Sequence, residues 1–559
     1  TNPLIHIPAG VYSVFKDPSV NWNWESEAEP GCGGRKIELP RGKVVGGSSS
    51  INAMVYIRGQ HADFDDWKAM GNPGWGWDDV LPLFRKFEDY APGEDAFHSQ
   101  GGEWRIEDQR LKWEILEAFR DACIAAGLPA IADFNSGDNE GVGYFKVNQK
   151  RGMRWSAATA FLRPARNRPN LTVMTRAQAE RVDFDGRRAT GVTFRQGDAL
   201  KRVSARAEVI LCSGAIGSPQ LLQLSGVGPG DLLAEHGIAP VAERAEVGGN
   251  LQDHLQIRMA YKVSGTRTLN TMSASLWGKA KIAMEYALNR SGPMSMAPSQ
   301  LAAFARSGPD VASADLEYHV QPLTLEAFGQ PLHPFDAFTA SVCHLRPESR
   351  GTVRIGSADP RAHPLIAPNY LATEGDRRVA AAAIRLTRRI AGQAALARFR
   401  PEEFKPGPEY ETEADLARAA GDIGSTIFHP VGTCRMGPDA GAAEDLSASS
   451  LRILPAGGFA GVTLGEPTGP GLVDSWDRDH PLLRYTVPSD ISIRRYRPLI
   501  LPPRARSLLE IEGRSVAAAV RRGEREHIVL GFRPGDSNWP LRLSFPIVLR
   551  NLLLLAERS

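Results

Sequence analysis

Three stretches of the chain hold residues whose types and spacing could do chemistry. The first is Gly42-Lys43-Val44-Val45-Gly46-Gly47-Ser48-Ser49-Ser50-Ile51-Asn52. Glycines and small hydroxyls there let backbone N–H groups come close to a flat or anionic ligand. A glycine-rich loop with no ligand is the competing reading. The second is Gly214-Ala215-Ile216-Gly217-Ser218-Pro219, running through Leu221-Leu222 to Ser225-Gly226-Val227-Gly228. Its Ser218-Pro219 suits a helix start and its Ser225-Gly226 a helix end. Its small residues also let a helix lie close on a strand, and packing accounts for most of its composition. The third is Phe428-His429-Pro430-Val431-Gly432-Thr433-Cys434-Arg435-Met436-Gly437. A lone histidine before proline is more often structural than catalytic, so His429 acquires a role only from what surrounds it. The five cysteines, Cys32, Cys123, Cys212, Cys343 and Cys434, are scattered, odd in number and never at metal-ligand spacing. No metal site is expected.

These residues need elements to hold them. Residues 1–67 are rich in Gly, Pro and Trp and read as extended and loop-heavy around the first glycine turn. Ile51, Met54 and Val55 fall at helical spacing after that turn and predict a helix there. Ile115, Leu116, Phe119, Cys123 and Ile124 predict an amphipathic helix over residues 113–126, ended by Gly127 and Pro129. Residues 170–175 read as a strand. Residues 182–184 and 191–194 flank Asp185-Gly186 and predict a hairpin. The continuous apolar run over residues 208–212 predicts a buried strand leading into Gly214 and a helix over residues 220–224. Farther on, residues 316–320 and 338–345 read as strands and residues 378–395 as a long helix. That pattern predicts a second domain with an antiparallel sheet under covering helices. Residues 439–471 read as a linker. Residues 507–511, 516–520 and 528–532 read as a small β meander, with an apolar helix over residues 545–556.

Together the first two stretches resemble the glucose–methanol–choline (GMC) oxidoreductases, flavoenzymes that oxidise alcohols. The likeness includes Asn52, Tyr56, Gly59 and Asp65 at the first stretch, residues 247–254 as a later landmark, and His429 in the third. It spans about three quarters of the chain, residues 5–437. The resemblance implies FAD as cofactor, with Gly46, Gly47, Ser48, Ser49, Asn52 and Ala53 along the flavin and Ala179, Gly214 and Ala215 near the dinucleotide. It implies that His429 faces the flavin as the catalytic residue. A neutral imidazole there takes the hydroxyl proton of an alcohol, and hydride passes from carbon to the cofactor. Residues 247–254 receive no catalytic role, and His254, His319 and His344 lack a context that would give them one.

The implied fold class is α/β: an incomplete FAD-binding Rossmann-like domain over residues 1–255, an antiparallel-sheet substrate domain over residues 256–437, a linker over residues 438–475 and an unrelated small β/α tail over residues 476–559. The family opens with a G-x-G-x-x-G turn, and the chain begins after that point. Its closing cofactor segment cannot be aligned after Gly437. Each charge-assisted hydrogen bond lost with that turn is worth ~1.5–3 kcal/mol, so weakened flavin binding is expected. The alternative reading is therefore a catalytically dead truncated or fused fragment. A relative that keeps flavin for structure and cleaves a cyanohydrin is a third. The tail, through residues 477–484, 529–532 and 536–541, resembles the closing part of bacterial membrane-anchored proteins with a von Willebrand A-like domain, a likeness that implies no chemistry.

Composition bounds the partners. The charged fraction is 23% and the formal net charge +2, so no strong overall field is expected to attract nucleic acid or anionic membrane. The basic clusters at residues 504–506 and 521–525 read as solvated faces. No apolar run reaches the ~20 residues of a spanning helix, so no integral membrane span is expected. Unpaired cysteines suit a cytoplasmic location. The expected partners are a small-molecule alcohol and an electron acceptor of unknown kind. Trp22, Trp24, Trp75 and Trp77 could offer aromatic surface to a cationic substrate, though packing into loops is the stronger reading.

Overall fold

The computed structural model describes residues 2–437 except Phe328, and beyond them the strand segments between Arg452 and Leu530. Two compact units result, Thr1–Asp445 and Leu446–Ser559.

In the first unit the elements that matter for function are, in chain order, α1 (Glu114–Ala125), β1 (Gly141–Tyr144), β2 (Ala177–Asp185), β3 (Arg188–Gln196), β4 (Ala199–Ser204), α2 (Gly214–Leu224), β5 (Leu255–Lys262), α3 (Leu276–Asn289), β6 (Leu301–Ala305), β7 (Leu316–Gln321), β8 (Ala337–His344), α4 (Glu374–Ala391), β9 (Glu402–Lys405), α5 (Glu413–Ile423) and β10 (Gly424–Thr426). Seven of these strands form one antiparallel sheet in the order β9-β5-β8-β7-β6-β1, with β10 also paired to β5. An antiparallel sheet is expected from residues 256–437; this one also takes in β1, from the segment assigned to the cofactor domain.

Strand periodicity divides the work of β7. Leu316, Tyr318 and Val320 face a core that includes Phe119 of α1 and Ile384 and Ile390 of α4. The Tyr318 hydroxyl shares a 3.0 Å hydrogen bond with Thr387 of α4. Glu317, His319 and Gln321 alternate to the other face, where they line a cavity. The sequence L-E-Y-H-V-Q thus sets one strand between a dry layer and a polar pocket.

The hairpin expected around Asp185-Gly186 is β2–β3, extended by β4 into a three-stranded sheet. The helix over residues 113–126 is α1, and the long helix is α4 followed by a short turn of helix at Ala394–Ala397. Three expectations need correction. Residues 51–55 are not helical: a short 3-10 turn, Gly47–Ser50, leads to the strand Val55–Tyr56, which pairs with Lys146–Val147. Gly46, Gly47 and Met54 all have positive φ, which breaks a right-handed helix. Residues 170–175 and 208–212 form no strand, and Ile210 is 73% exposed. A continuous apolar run becomes a buried strand only between neighbours, and no described strand lies alongside either segment.

In the second unit, β11 (Arg452–Ile453), β12 (Ser475–Trp476), β13 (Arg506–Ile511), β14 (Arg514–Arg522) and β15 (Arg525–Leu530) form a sheet in the order β11-β15-β14-β13-β12. The meander expected from the turns at Glu512-Gly513 and Arg522-Gly523 is β13–β14–β15. Most of the expected linker and the apolar helix over residues 545–556 lie outside the described residues.

Candidate active site

His429 sits in the loop that leaves β10. The loop is fixed by a short ladder to residues 252–254: Gln252 and Val431 exchange backbone hydrogen bonds at 2.9 and 2.8 Å, and Ile427 N–H donates to His254 O at 3.0 Å. At its centre is the Asp253 carboxylate. It accepts from the His429 backbone N–H at 2.9 Å, the Tyr370 hydroxyl at 2.5 Å and the Thr426 hydroxyl at 2.6 Å. Phe428 takes a left-handed conformation, φ 73°, with its N–H donating to Thr426 Oγ1 at 2.7 Å. A non-glycine residue keeps that backbone only where its surroundings over-determine it, and here they do. The 247–254 segment, which the sequence left without a catalytic role, thus positions the histidine.

A cavity of about 270 Å³ brings His429 together with Ser48, Asn52 and Ala53 of the first glycine-rich stretch. Its other walls include Val11, Phe15, Phe428 and Ile427 on the apolar side and Arg41, Gln256, Glu317, His319 and Gln321 on the polar side. His429 lines this space and is exposed to it. Desolvation, and then the neighbouring His254, push its pKa down to about 3, so the imidazole is neutral near pH 7. The His254 and His429 rings meet edge-on with centroids 5.7 Å apart. His319 Nε2 lies 3.1 Å from Glu317 Oε1, both buried. Burial alone would raise the Glu317 pKa, but the His319 charge and hydrogen-bonding capacity hold it below the ordinary value. Glu317 is the one carboxylate among the residues lining the cavity. His254, Glu317 and Cys343 also bring one possible ligand atom each within 4.8 Å of one another.

The glycine-rich stretch passes a test of fit for a large polar cofactor. Gly47 has φ 54°, and a Cβ built on it would meet nothing within 4 Å, so the backbone faces open space. Arg154 is buried against the same stretch. It donates to Asn52 Oδ1 at 2.8 Å and Ser49 O at 3.2 Å, while its Nη2 has no partner among the described residues. Arg41 Nη2, at the cavity wall, is likewise unpartnered. Burial lowers the Arg154 pKa to about 9. An uncompensated buried guanidinium favours an anionic or acceptor-rich ligand beside it.

The remaining sequence-predicted residues are placed as follows. Gly46 packs against Ala158, and Ser49 Oγ donates to Gly46 O at 2.6 Å and accepts from Ala157 N–H at 2.9 Å. Gly214 and Ala215 open α2, where Thr433 Oγ1 donates to Ala215 O at 2.5 Å and so ties the histidine loop to the second stretch. Ala179 lies in β2 opposite Phe194. Of the predicted cofactor residues only Ser48, Asn52 and Ala53 line the cavity; Gly46, Gly47, Ser49, Gly214, Ala215 and Ala179 do not. Trp22 and Trp24 stack on each other, and Trp77 packs on His61 and Phe64, so the tryptophans furnish loop packing and not the cavity wall. All five cysteines are unpaired. Sequence reading missed Arg154, Asp253, Glu317, His254 and His319. Only the polar alternation of residues 316–321 could have exposed two of them beforehand.

Comparison with known proteins agrees with this geometry. Residues 19–256 and 347–445 match the GMC oxidoreductase family. The oxygen-dependent choline dehydrogenase of Brucella ovis is 37% identical over 478 residues, covering 84% of this chain and 87% of the relative. The alcohol dehydrogenase [acceptor] of Pseudomonas putida is 35% identical over 482 residues, 85% of this chain and 87% of the relative. Among solved structures, pyridoxine 4-oxidase from Mesorbium loti superposes with a TM-score of 0.71 at 30% identity, covering 81% of this chain and 84% of that one. The formate oxidase of Aspergillus oryzae RIB40, in a study of its FAD modification, gives 0.72 at 25% identity, covering 78% and 82%. The chain belongs to the GMC oxidoreductase family, and FAD is its cofactor. It is an FAD-dependent oxidoreductase acting on the CH–OH group of alcohols, and these matches favour that function over the inert-fragment alternative. Among the described residues no helix is long and apolar enough to cross a membrane.

Proposed function

We propose that His429 is the base of this oxidation, converting a small alcohol to its aldehyde. The observation that carries this reading is the shared cavity, in which a neutral histidine stands across from Ser48, Asn52 and Ala53. Bound FAD supplies the hydride acceptor. The chain's own residues do the rest. His429 takes the hydroxyl proton onto an imidazole nitrogen, giving the substrate oxygen alkoxide character. Asp253 holds the His429 backbone and so fixes the ring's approach. Val11, Phe15, Ile427 and Phe428 keep water from the reacting carbon. Ser48, Ser49, Asn52 and Arg154 are the residues we assign to holding the cofactor, with Gly46 and Gly47 permitting its close approach, Ala53 beside it, and Gly214 and Ala215 supporting the loop from behind.

Glu317 narrows the substrate class. A buried carboxylate at the cavity wall favours alcohols that also carry a cationic or strongly hydrogen-bond-donating group. The choline dehydrogenase relatives support that choice. A cytoplasmic location is supported by the five unpaired cysteines. The decisive experiment is anaerobic mixing of the FAD-loaded protein with a panel of alcohols including choline. Bleaching of the flavin absorbance, abolished in a His429→Ala variant that still carries flavin, is the expected result. Flavin that no alcohol bleaches would overturn the reading.

A further inference from the structure

The helix α3 shows an unusual outer face. It starts at Ser275, whose Oγ accepts from Gly278 N–H at 3.0 Å, and ends at Arg290 in the left-handed region, φ 53°. Tyr286 is its buried anchor, donating to Gly152 O at 3.0 Å. Outward lie Leu276, Trp277, Met284 and Leu288, exposed by 86, 78, 58 and 75%. At 100° per residue these four fall, with exposed Ala280, Ala283 and Ala287, on one arc of roughly 140°. Lys279 and Lys281 mark the two edges of that arc, one on each side. Scattered exposed apolar residues are ordinary; a continuous stripe of this kind marks a surface that something covers.

The charges around the stripe identify the covering surface. Arg290 closes the helix, and Arg110 Nε donates to its carbonyl at 3.0 Å. Arg151 lies next to Gly152, which packs on the Arg290 backbone. The acidic residue of the helix, Glu285, turns away from the stripe, is half-buried and accepts from Ser291 Oγ at 3.2 Å. An apolar stripe edged by Lys279 and Lys281, with a tryptophan near one end, matches the interface of an anionic bilayer: apolar side chains enter the acyl boundary and long basic side chains reach back to the headgroups. At 14 residues the helix is ~21 Å long, too short to span a bilayer and suited to lying in its plane.

We propose that α3 is an in-plane membrane-docking helix that binds this enzyme reversibly to anionic lipid surfaces. A few residues beyond it, Pro298 and Ser299 line the substrate cavity, so docking occurs close in sequence to the site of reaction. The docking surface is separate from the catalytic machinery, and its test does not depend on which alcohol is oxidised.

The full chain, purified with its flavin, is sedimented with vesicles of phosphatidylcholine containing phosphatidylglycerol and with vesicles of phosphatidylcholine alone. Binding to the anionic vesicles is expected, weaker on neutral ones and weakened by salt. Trp277→Ser with Leu288→Glu lowers the partition coefficient by about tenfold or more on anionic vesicles. Lys279→Glu with Lys281→Glu weakens binding to anionic vesicles and spares the residual binding to neutral ones. Flavin content and dye-coupled alcohol oxidation in solution stay unchanged in both, which separates loss of docking from loss of fold. The proposal is overturned if the unmodified protein stays in the supernatant with anionic vesicles, or if Trp277→Ser with Leu288→Glu sediments equally well. It is also overturned if light scattering shows a dimer that this double variant dissociates, because the stripe is then covered by a second copy.

Discussion

Asp253 Oδ1 accepts the backbone N–H of His429 at 2.9 Å across 176 positions of sequence. The same carboxylate takes the hydroxyls of Tyr370 and Thr426. One buried side chain therefore fixes where the histidine ring enters the cavity. Replacing Asp253 with Ala strands those donors, each at a cost of about 1–3 kcal/mol. Asp253→Ala is expected to lower the unfolding midpoint and to cut kcat by about tenfold or more with a smaller change in KM. Asp253→Asn keeps an acceptor oxygen and recovers part of both. Equal kcat in all three proteins would remove the positioning role.

The depressed pKa of His429 has a definite sign in a pH profile. The ring is neutral in the fold down to about pH 3 and gains a proton in the unfolded chain below its ordinary value of 6.5. Stability linked to it is therefore present above pH 6.5 and is lost as pH falls toward 3. As a base it needs no deprotonation in the neutral range, so kcat/KM is expected to hold level on the acid side down to about pH 5. An acid limb in kcat/KM with a midpoint near 6.5 would contradict the depressed value.

Glu317 makes a prediction about selectivity. Glu317→Gln keeps the shape and removes the charge. For an alcohol with a quaternary ammonium group kcat/KM is expected to fall by about tenfold or more, and for a neutral alkanol of similar size by less than about threefold. Parallel losses for both substrates would mean that the carboxylate supports the cavity and does not select its occupant.

Gly46 and Gly47 both have positive φ but differ in surroundings. A Cβ on Gly46 would stand 2.5 Å from Ser50 Oγ and 3.0 Å from Ala158 Cβ, whereas one on Gly47 meets nothing within 4 Å. Gly46→Ala is expected to destabilise by about 2–3 kcal/mol, strain and clash together, and Gly47→Ala by about 1 kcal/mol from the backbone alone. Chemical unfolding of the two variants, with flavin absorbance per chain recorded alongside, distinguishes them.

A buried polar network away from the cavity gives a stability signature of opposite sign. His98 lies between Glu88, 3.2 Å from Nδ1, and Asp133, 3.1 Å from Nε2. Desolvation works against its charge, but those two carboxylates prevail and raise its pKa to about 9. Its contribution is complete below pH 6.5 and disappears as pH rises to about 9, up to about 3 kcal/mol in all. Urea unfolding between those values is expected to show that decline in the unmodified protein and not in His98→Asn.

Much of this protein was legible along the chain. The spacing of Ile115, Leu116, Phe119 and Cys123 fixed the helix α1, the turns at Asp185-Gly186, Glu512-Gly513 and Arg522-Gly523 fixed the hairpins, and the motif around His429 carried the family likeness, because each depends on contacts a few residues apart. Local pattern failed at residues 208–212. An apolar run does not state whether neighbours exist to cover it, and Ile210 stands exposed because no described strand lies beside it. Tertiary structure alone decided the site. Asp253 and His254 from just before β5, Glu317 and His319 from β7, Arg154 from the short strand Met153–Arg154 and His429 from beyond β10 meet because strand pairing and registry bring distant segments together. Charge, burial and pKa follow from that convergence, which depends on three-dimensional distance and leaves no mark in the spacing of the chain.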